Sequence, residues 1–100
     1  MRRYAVKRDS NHAELTAYLQ QCGWTVVDTA AVGPNAIPGW PDAIAVAYGA
    51  VVLCEFKASN KERLTDAEQQ FRAGWPGEYR VLRSSDDVLA MTREFMGKSR

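Results

Sequence analysis

Two acids and a lysine stand in this chain at positions where they could hold a divalent cation against a phosphate. Asp42 follows Pro41 and opens an apolar run, Asp42-Ala-Ile-Ala-Val-Ala-Tyr48, while Glu55-Phe56-Lys57 closes a second, Val51-Val-Leu-Cys-Glu-Phe-Lys57. Both runs read as β-strands, and Gly49-Ala50 between them suits a two-residue type II′ hairpin turn. That turn predicts the pairs Tyr48 with Val51, Ile44 with Glu55 and Asp42 with Lys57. Alternation then gathers Asp42, Glu55 and Lys57 on one face and sends Cys54 and Phe56 to the other. Asp42 and Glu55 become diagonal neighbours, with Cα atoms about 7–8 Å apart.

The chemistry open to such a cluster is phosphodiester hydrolysis. Mg²⁺ takes hard oxygen ligands and keeps several waters, so one or two carboxylates suffice when a phosphate supplies the rest. Asp42, Glu55 and the backbone carbonyl of Phe56 form a cage of that kind, and a metal held there makes water nucleophilic and neutralises phosphate charge. Lys57 would orient or deprotonate that water, or stabilise the charge that develops on phosphorus. Beside two carboxylates its ammonium stays charged, which favours the stabilising role. The plainer alternative is an exposed Glu55–Lys57 ion pair on a sheet edge, worth little. Strands apolar on both faces are usually covered on both, so two charges at the end of one need a further reason.

The elements that must position these residues can be read in order. Asn11-His-Ala-Glu14 has capping-box spacing, with Asn11 as N-cap and Glu14 reaching back from the third position. The same box fixes Glu14 near the helix start, which makes it a candidate third carboxylate. Leu15, Tyr18, Leu19 and Cys22 continue as an amphipathic stripe that stops at Gly23. Trp24 to Asp28 reads as a strand, and Thr29 to Trp40 is the longest loop. Thr65-Asp-Ala-Glu68 is a second capping box, opening a helix with Ala67, Phe71 and Trp75 on one side and ending at Gly74-Trp-Pro-Gly77. Glu78 to Arg83 is a last strand, and Ser84 or Ser85 caps a final helix, Asp86 to Met96, with acids in its first turn. The fold class is α/β: one small mixed β-sheet flanked by helices, in the order α-β-β-β-α-β-α.

One hundred residues fit one domain, 1–100, and 46% apolar with 25% charged residues is ordinary for a globular protein. No run approaches the roughly 20 apolar residues of a membrane span, and no apolar signal segment follows the basic start. Cys22 and Cys54 show no metal or redox spacing and read as buried free thiols in a reducing cytoplasm. The net charge of +1 excludes a strongly basic coat. Arg2, Arg3, Lys7 and Arg8 nevertheless crowd residues 1–9, which read either as a flexible arm able to neutralise phosphates or as a solvated terminus. Trp24 and Trp75 are core or interface residues, whereas Trp40, beside Pro41-Asp42, is a candidate DNA contact. Gln69 and Gln70 are surface amides within reach of the site, and His12 is a solvated or capping residue.

With these residues in place, the chain resembles the PD-(D/E)xK nucleases and, within them, the virus-type replication–repair nuclease (VRR-NUC) family. The likeness runs through Asn-His-Ala-Glu14, Gly39-Trp-Pro-Asp42, Glu55-Phe-Lys57, Leu64-Thr-Asp-Ala-Glu68, Trp75-Pro-Gly77 and Val81 to Asp87. It implies a restriction-endonuclease-like core and a Mg²⁺- or Mn²⁺-dependent DNA endonuclease with Glu14, Asp42, Glu55 and Lys57 as its active site. Stand-alone members of this size are phage or bacterial proteins, similar to Holliday-junction resolvases that act as homodimers on branched DNA. Many relatives carry a Gln in the helix after the lysine; here Glu68 occupies the matching position with Gln69 beside it. Two other functions remain open: a sequence-specific restriction-type nuclease, or a non-catalytic DNA-binding or assembly module that keeps the fold. The final helix, with Val88, Leu89, Met91, Phe95 and Met96, carries more apolar residues than one face buries, a surplus suited to a dimer interface or to ordinary core.

Overall fold

A computed structural model describes residues 11–29 and 37–99. The basic arm of residues 1–9, and with it Arg2, Arg3, Lys7 and Arg8, lies outside the described residues. The elements follow the expected order: α1 (His12–Gln21), β1 (Thr25–Asp28), β2 (Ala43–Ala47), β3 (Ala50–Phe56), α2 (Asp66–Gly74), β4 (Glu78–Leu82) and α3 (Ser85–Lys98). The four strands form one mixed sheet in sequential order, with β1–β2 and β2–β3 antiparallel and β3–β4 parallel. The parallel pair needs a crossover, and α2 provides it.

Alternation builds the core on one face. Ala43, Ala45, Val52, Cys54, Phe56 and Leu82 meet Leu15 and Leu19 of α1 and Val88, Met91 and Phe95 of α3, with Trp24 between the helices. Trp24 donates its indole N–H to Thr92 Oγ1 at 2.9 Å, and Thr92 donates to the Val88 carbonyl, so α3 buries a polar residue that its apolar periodicity does not announce. Above the other face, Phe71 of α2 packs against Trp40, Trp75 and Tyr79. Trp40, half-buried, therefore belongs to an aromatic cluster on α2. Toward β1 and β2 the same face stays open among the described residues: Val27, Val46 and Val51 are 40–58% exposed.

The hairpin differs from the expected turn. Its central residues are Tyr48 and Gly49, both at positive φ (53° and 74°), which is the type I′ pattern. Consequently Ala47 pairs with Ala50, Val46 with Val51 and Ala43 with Cys54, two residues away from the predicted register. Tyr48 occupies an unfavourable conformation for a bulky residue, but its hydroxyl donates to the Cys22 carbonyl and its ring packs edge-on against Trp24. A slip of two preserves the facing of every side chain, whereas a slip of one would invert it.

Capping also divides into one agreement and one correction. At α2, Thr65 and Glu68 form the reciprocal box. At α1, Asn11 makes no side-chain cap. Its amide instead donates to the carbonyls of Lys57, at 2.9 Å, and Arg83, at 3.4 Å, at the ends of β3 and β4. Cys54 is buried as expected, but Cys22 is only partly so.

Candidate active site

The shifted register brings the acids closer than the sequence predicts. One step beyond the Ala43–Cys54 pair, Asp42 comes opposite Glu55 instead of diagonal to it. Asp42 Oδ2 accepts the Phe56 backbone N–H at 2.8 Å, which ties the first acid to the strand that carries the second. In regular strand geometry the Phe56 carbonyl points to the same side as its N–H. Lys57 Nζ lies 3.4 Å from Glu55 Oε2, 2.9 Å from Glu68 Oε1 and 3.8 Å from Glu62 Oε2. Asp42, Glu55 and Lys57 thus converge on one face, while Cys54 and Phe56 point into the core.

Burial makes these charges consequential. The side chains of Glu55 and Lys57 are only 5% and 6% exposed. Desolvation drives the Glu55 carboxyl well above the usual range, and the charge of Asp42 and the carboxylate of Glu68 push it further. The Lys57 ammonium alone counters them. For Lys57, burial disfavours the charge, but the hydrogen bond to Glu68 and the fields of Glu55, Glu68 and Glu62 outweigh it and raise its pKa. Glu68 is lowered despite its own desolvation, through hydrogen bonds from Lys57, the Thr65 backbone and Glu55. Tyr79, whose buried hydroxyl has no hydrogen-bond partner among the described residues, is raised by burial and by the same carboxylates.

This crowding is a fit test for a cation. Glu55 Oε1 is buried without a hydrogen-bond partner among the described residues, an arrangement costly for a carboxylate unless a ligand joins it. Asp42 has one oxygen engaged by Phe56 and the other without a partner among the described residues. Two carboxylates and one carbonyl suit a hard ion that retains water. Among the described residues no group of three or more His, Cys, Asp or Glu is arranged as a metal cage, so the protein offers a partial shell.

The other expected residues fall as follows. Glu14 is exposed in the first turn of α1 and makes no hydrogen bond or ion pair among the described residues, so it does not close a capping box there. Glu68, and not Gln69, meets Lys57; Gln69 Nε2 turns to the Leu64 carbonyl. Glu68 Oε1 also accepts the Thr65 N–H at 2.9 Å, so one oxygen serves both the cap and the lysine. His12 is mostly buried, edge-on to Phe56 at 4.9 Å with Nε2 3.5 Å from Asp28, which corrects the reading of it as solvated or capping.

Three participants escaped the sequence reading. Glu62 has no motif spacing to Lys57, and only the fold of the connector brings it near. Asn11 carried a signal, but one that spoke for capping. Arg83, donating to the carbonyls of Ser59 and Glu62 at 2.9 Å each, fastens that connector to the end of β4.

Against known proteins, residues 6–73 match the family model described as archaeal Holliday junction resolvase (hjc). No curated protein and no solved structure matches.

Proposed function

The chain belongs to the archaeal Holliday junction resolvase (Hjc) family, a PD-(D/E)xK nuclease family, and we propose that it is a Mg²⁺- or Mn²⁺-dependent endonuclease that cuts branched DNA as a homodimer. The observation that carries this reading is the convergence of Asp42 with the buried Glu55 and Lys57, with Glu55 Oε1 unpartnered among the described residues. The four-stranded mixed sheet with three helices is consistent with a restriction-endonuclease-like fold. The VRR-NUC-like motif order supports the same chemistry, as both families share the acid-x-Lys strand.

Asp42, Glu55 and the Phe56 carbonyl would hold the ion. Glu14 would complete the shell from the start of α1, which Asn11 pins to the Lys57 carbonyl. The ion, when bound, supplies an acidified water and neutralises phosphate charge. Lys57 stays an ammonium under three carboxylates, so it serves as a fixed positive charge for the phosphoryl oxygens and not as a base. Glu68 positions it: a lysine shared with a helix cap cannot swing freely. A homodimer follows from the substrate, since a four-way junction needs two symmetric incisions and each chain offers one cluster. A sequence-specific nuclease would need base-reading loops for which 100 residues leave little room.

The test is incubation of a labelled four-way junction and a linear duplex with Mg²⁺, Mn²⁺ or chelator. Paired nicks near the branch point are expected, absent with chelator and reduced at least ~100-fold in Glu55→Ala and Lys57→Ala. Binding without cutting under any divalent metal would instead identify a non-catalytic module. Cutting of linear duplex at one fixed sequence would identify a restriction-type enzyme.

A further inference from the structure

Next to the carboxylate cluster, on the adjoining face of α2, lies a groove of ≈ 590 Å³ lined by Arg63, Leu64, Gln69, Arg72, Ala73 and Arg83. Gln69, Arg72 and Ala73 follow at i, i+3 and i+4, so they form one stripe of the helix. Among the described residues the lining holds three arginines and no acid. None of the three makes an ion pair among the described residues, whereas Arg80, Lys98 and Lys57 are all paired with glutamates. Arg83 spends its bonds on neutral carbonyls of Ser59 and Glu62, and Arg72 lies over the Tyr79 ring at 5.6 Å. In a chain whose net charge is only +1, positive charge that no described acid neutralises, gathered in one concave place, marks an anion-binding surface.

Its position identifies the anion. The connector that Arg83 fastens is the one whose Glu62 approaches Lys57, and Glu68, adjacent to groove residue Gln69, hydrogen-bonds that lysine. An extended polyanion with one charge at the carboxylate cluster would lay its neighbouring charges here. Resting on the nuclease reading above, we propose that Arg63, Arg72 and Arg83 form a cradle for the phosphodiester backbone of the DNA arm beyond the scissile phosphate. The guanidiniums suit this task, since their planar forks match phosphate oxygens. Such contacts set register on the duplex without reading sequence.

The experiment measures equilibrium binding of a labelled four-way junction by the full chain over a range of salt, in chelator so that nothing is cut. Variants are Arg63→Gln and Arg72→Gln, both exposed, with Arg93→Gln on α3 as a control of equal charge change. Each groove variant is expected to weaken binding and to lower the slope of log K against log salt by about 1, with Arg93→Gln unchanged. In metal, KM for the junction should rise while kcat holds. Unchanged slopes in both groove variants, in a wild type that binds and cuts, would overturn the cradle and leave the nuclease reading intact. An equal change in Arg93→Gln would also overturn it, as an effect of bulk charge. Groove-dependent binding by a wild type that never cuts would support the cradle and sink the nuclease reading. A wild type that binds no DNA would sink both.

Discussion

Lys57 answers three glutamates, and its removal is the most disruptive single change the site allows. Lys57→Ala would leave Glu55 and Glu68 facing each other without a counterion, and breaking a buried pair in this way costs about 3–5 kcal/mol. Urea unfolding without metal should show that loss; a variant as stable as wild type would mean that solvent reaches the cluster. Glu55→Gln is the informative contrast. It keeps shape and removes a crowded acid, so stability should stay within about 1 kcal/mol of wild type while junction cutting is lost. Retained cutting would remove Glu55 from the mechanism. Away from the site, burial pushes the Cys54 thiol up to about 12, with a small opposing effect from Arg80 and a small supporting one from Asp42. A raised pKa stabilises the fold fully below the ordinary thiol value near 9 and loses that contribution as pH climbs toward 12. At pH 8 iodoacetamide should therefore leave Cys54 unmodified until denaturant is added. Alkylation of Cys54 at the unfolded rate would contradict its placement.

Among elements, α2 is the one whose placement the site depends on, because its first turn supplies Glu68 to Lys57. Thr65→Ala removes the cap and should cost about 1 kcal/mol, with a fall in junction cutting through the loosened lysine. Full activity in that variant would mean that Glu68 holds Lys57 without the box. Gly39, at φ +81°, lies so close under the start of α2 that an added Cβ would collide with the Ala67 carbonyl. Gly39→Ala should destabilise by about 1–3 kcal/mol in urea unfolding, and an unchanged midpoint would contradict that packing. These elements also show which signals are legible in a sequence. The Thr65–Glu68 box was readable because it closes within four residues. Asn11–Glu14 has the same spacing, yet the Asn11 amide goes to carbonyls 46 and 72 residues away, and no local pattern encodes that. The hairpin departs from the expected register by two residues because Tyr48 sits at positive φ, held there by contacts to Cys22 and Trp24 that exist only after folding. The common face of Asp42, Glu55 and Lys57 survived the error, since facing depends on the parity of the register alone.

For the whole molecule, a net charge of +1 conceals a separation: glutamates crowd around one lysine, and arginines without an ion pair among the described residues line the adjoining groove. Apolar surface is divided as well, with Leu89 and Met96 exposed on α3 and Val27, Val46 and Val51 exposed on the sheet. Sedimentation is expected to give twice the 11.2 kDa chain mass, and a species of single mass at all concentrations would remove the symmetric incision of a junction. The central claim, that Asp42 and Glu55 together make one cation site, is tested most directly by Mn²⁺ titration followed by electron paramagnetic resonance, with wild type, Asp42→Asn and Glu55→Gln. Quenching of the free-ion signal by wild type and its loss in both variants is the predicted result. Equal Mn²⁺ binding by all three proteins would contradict it.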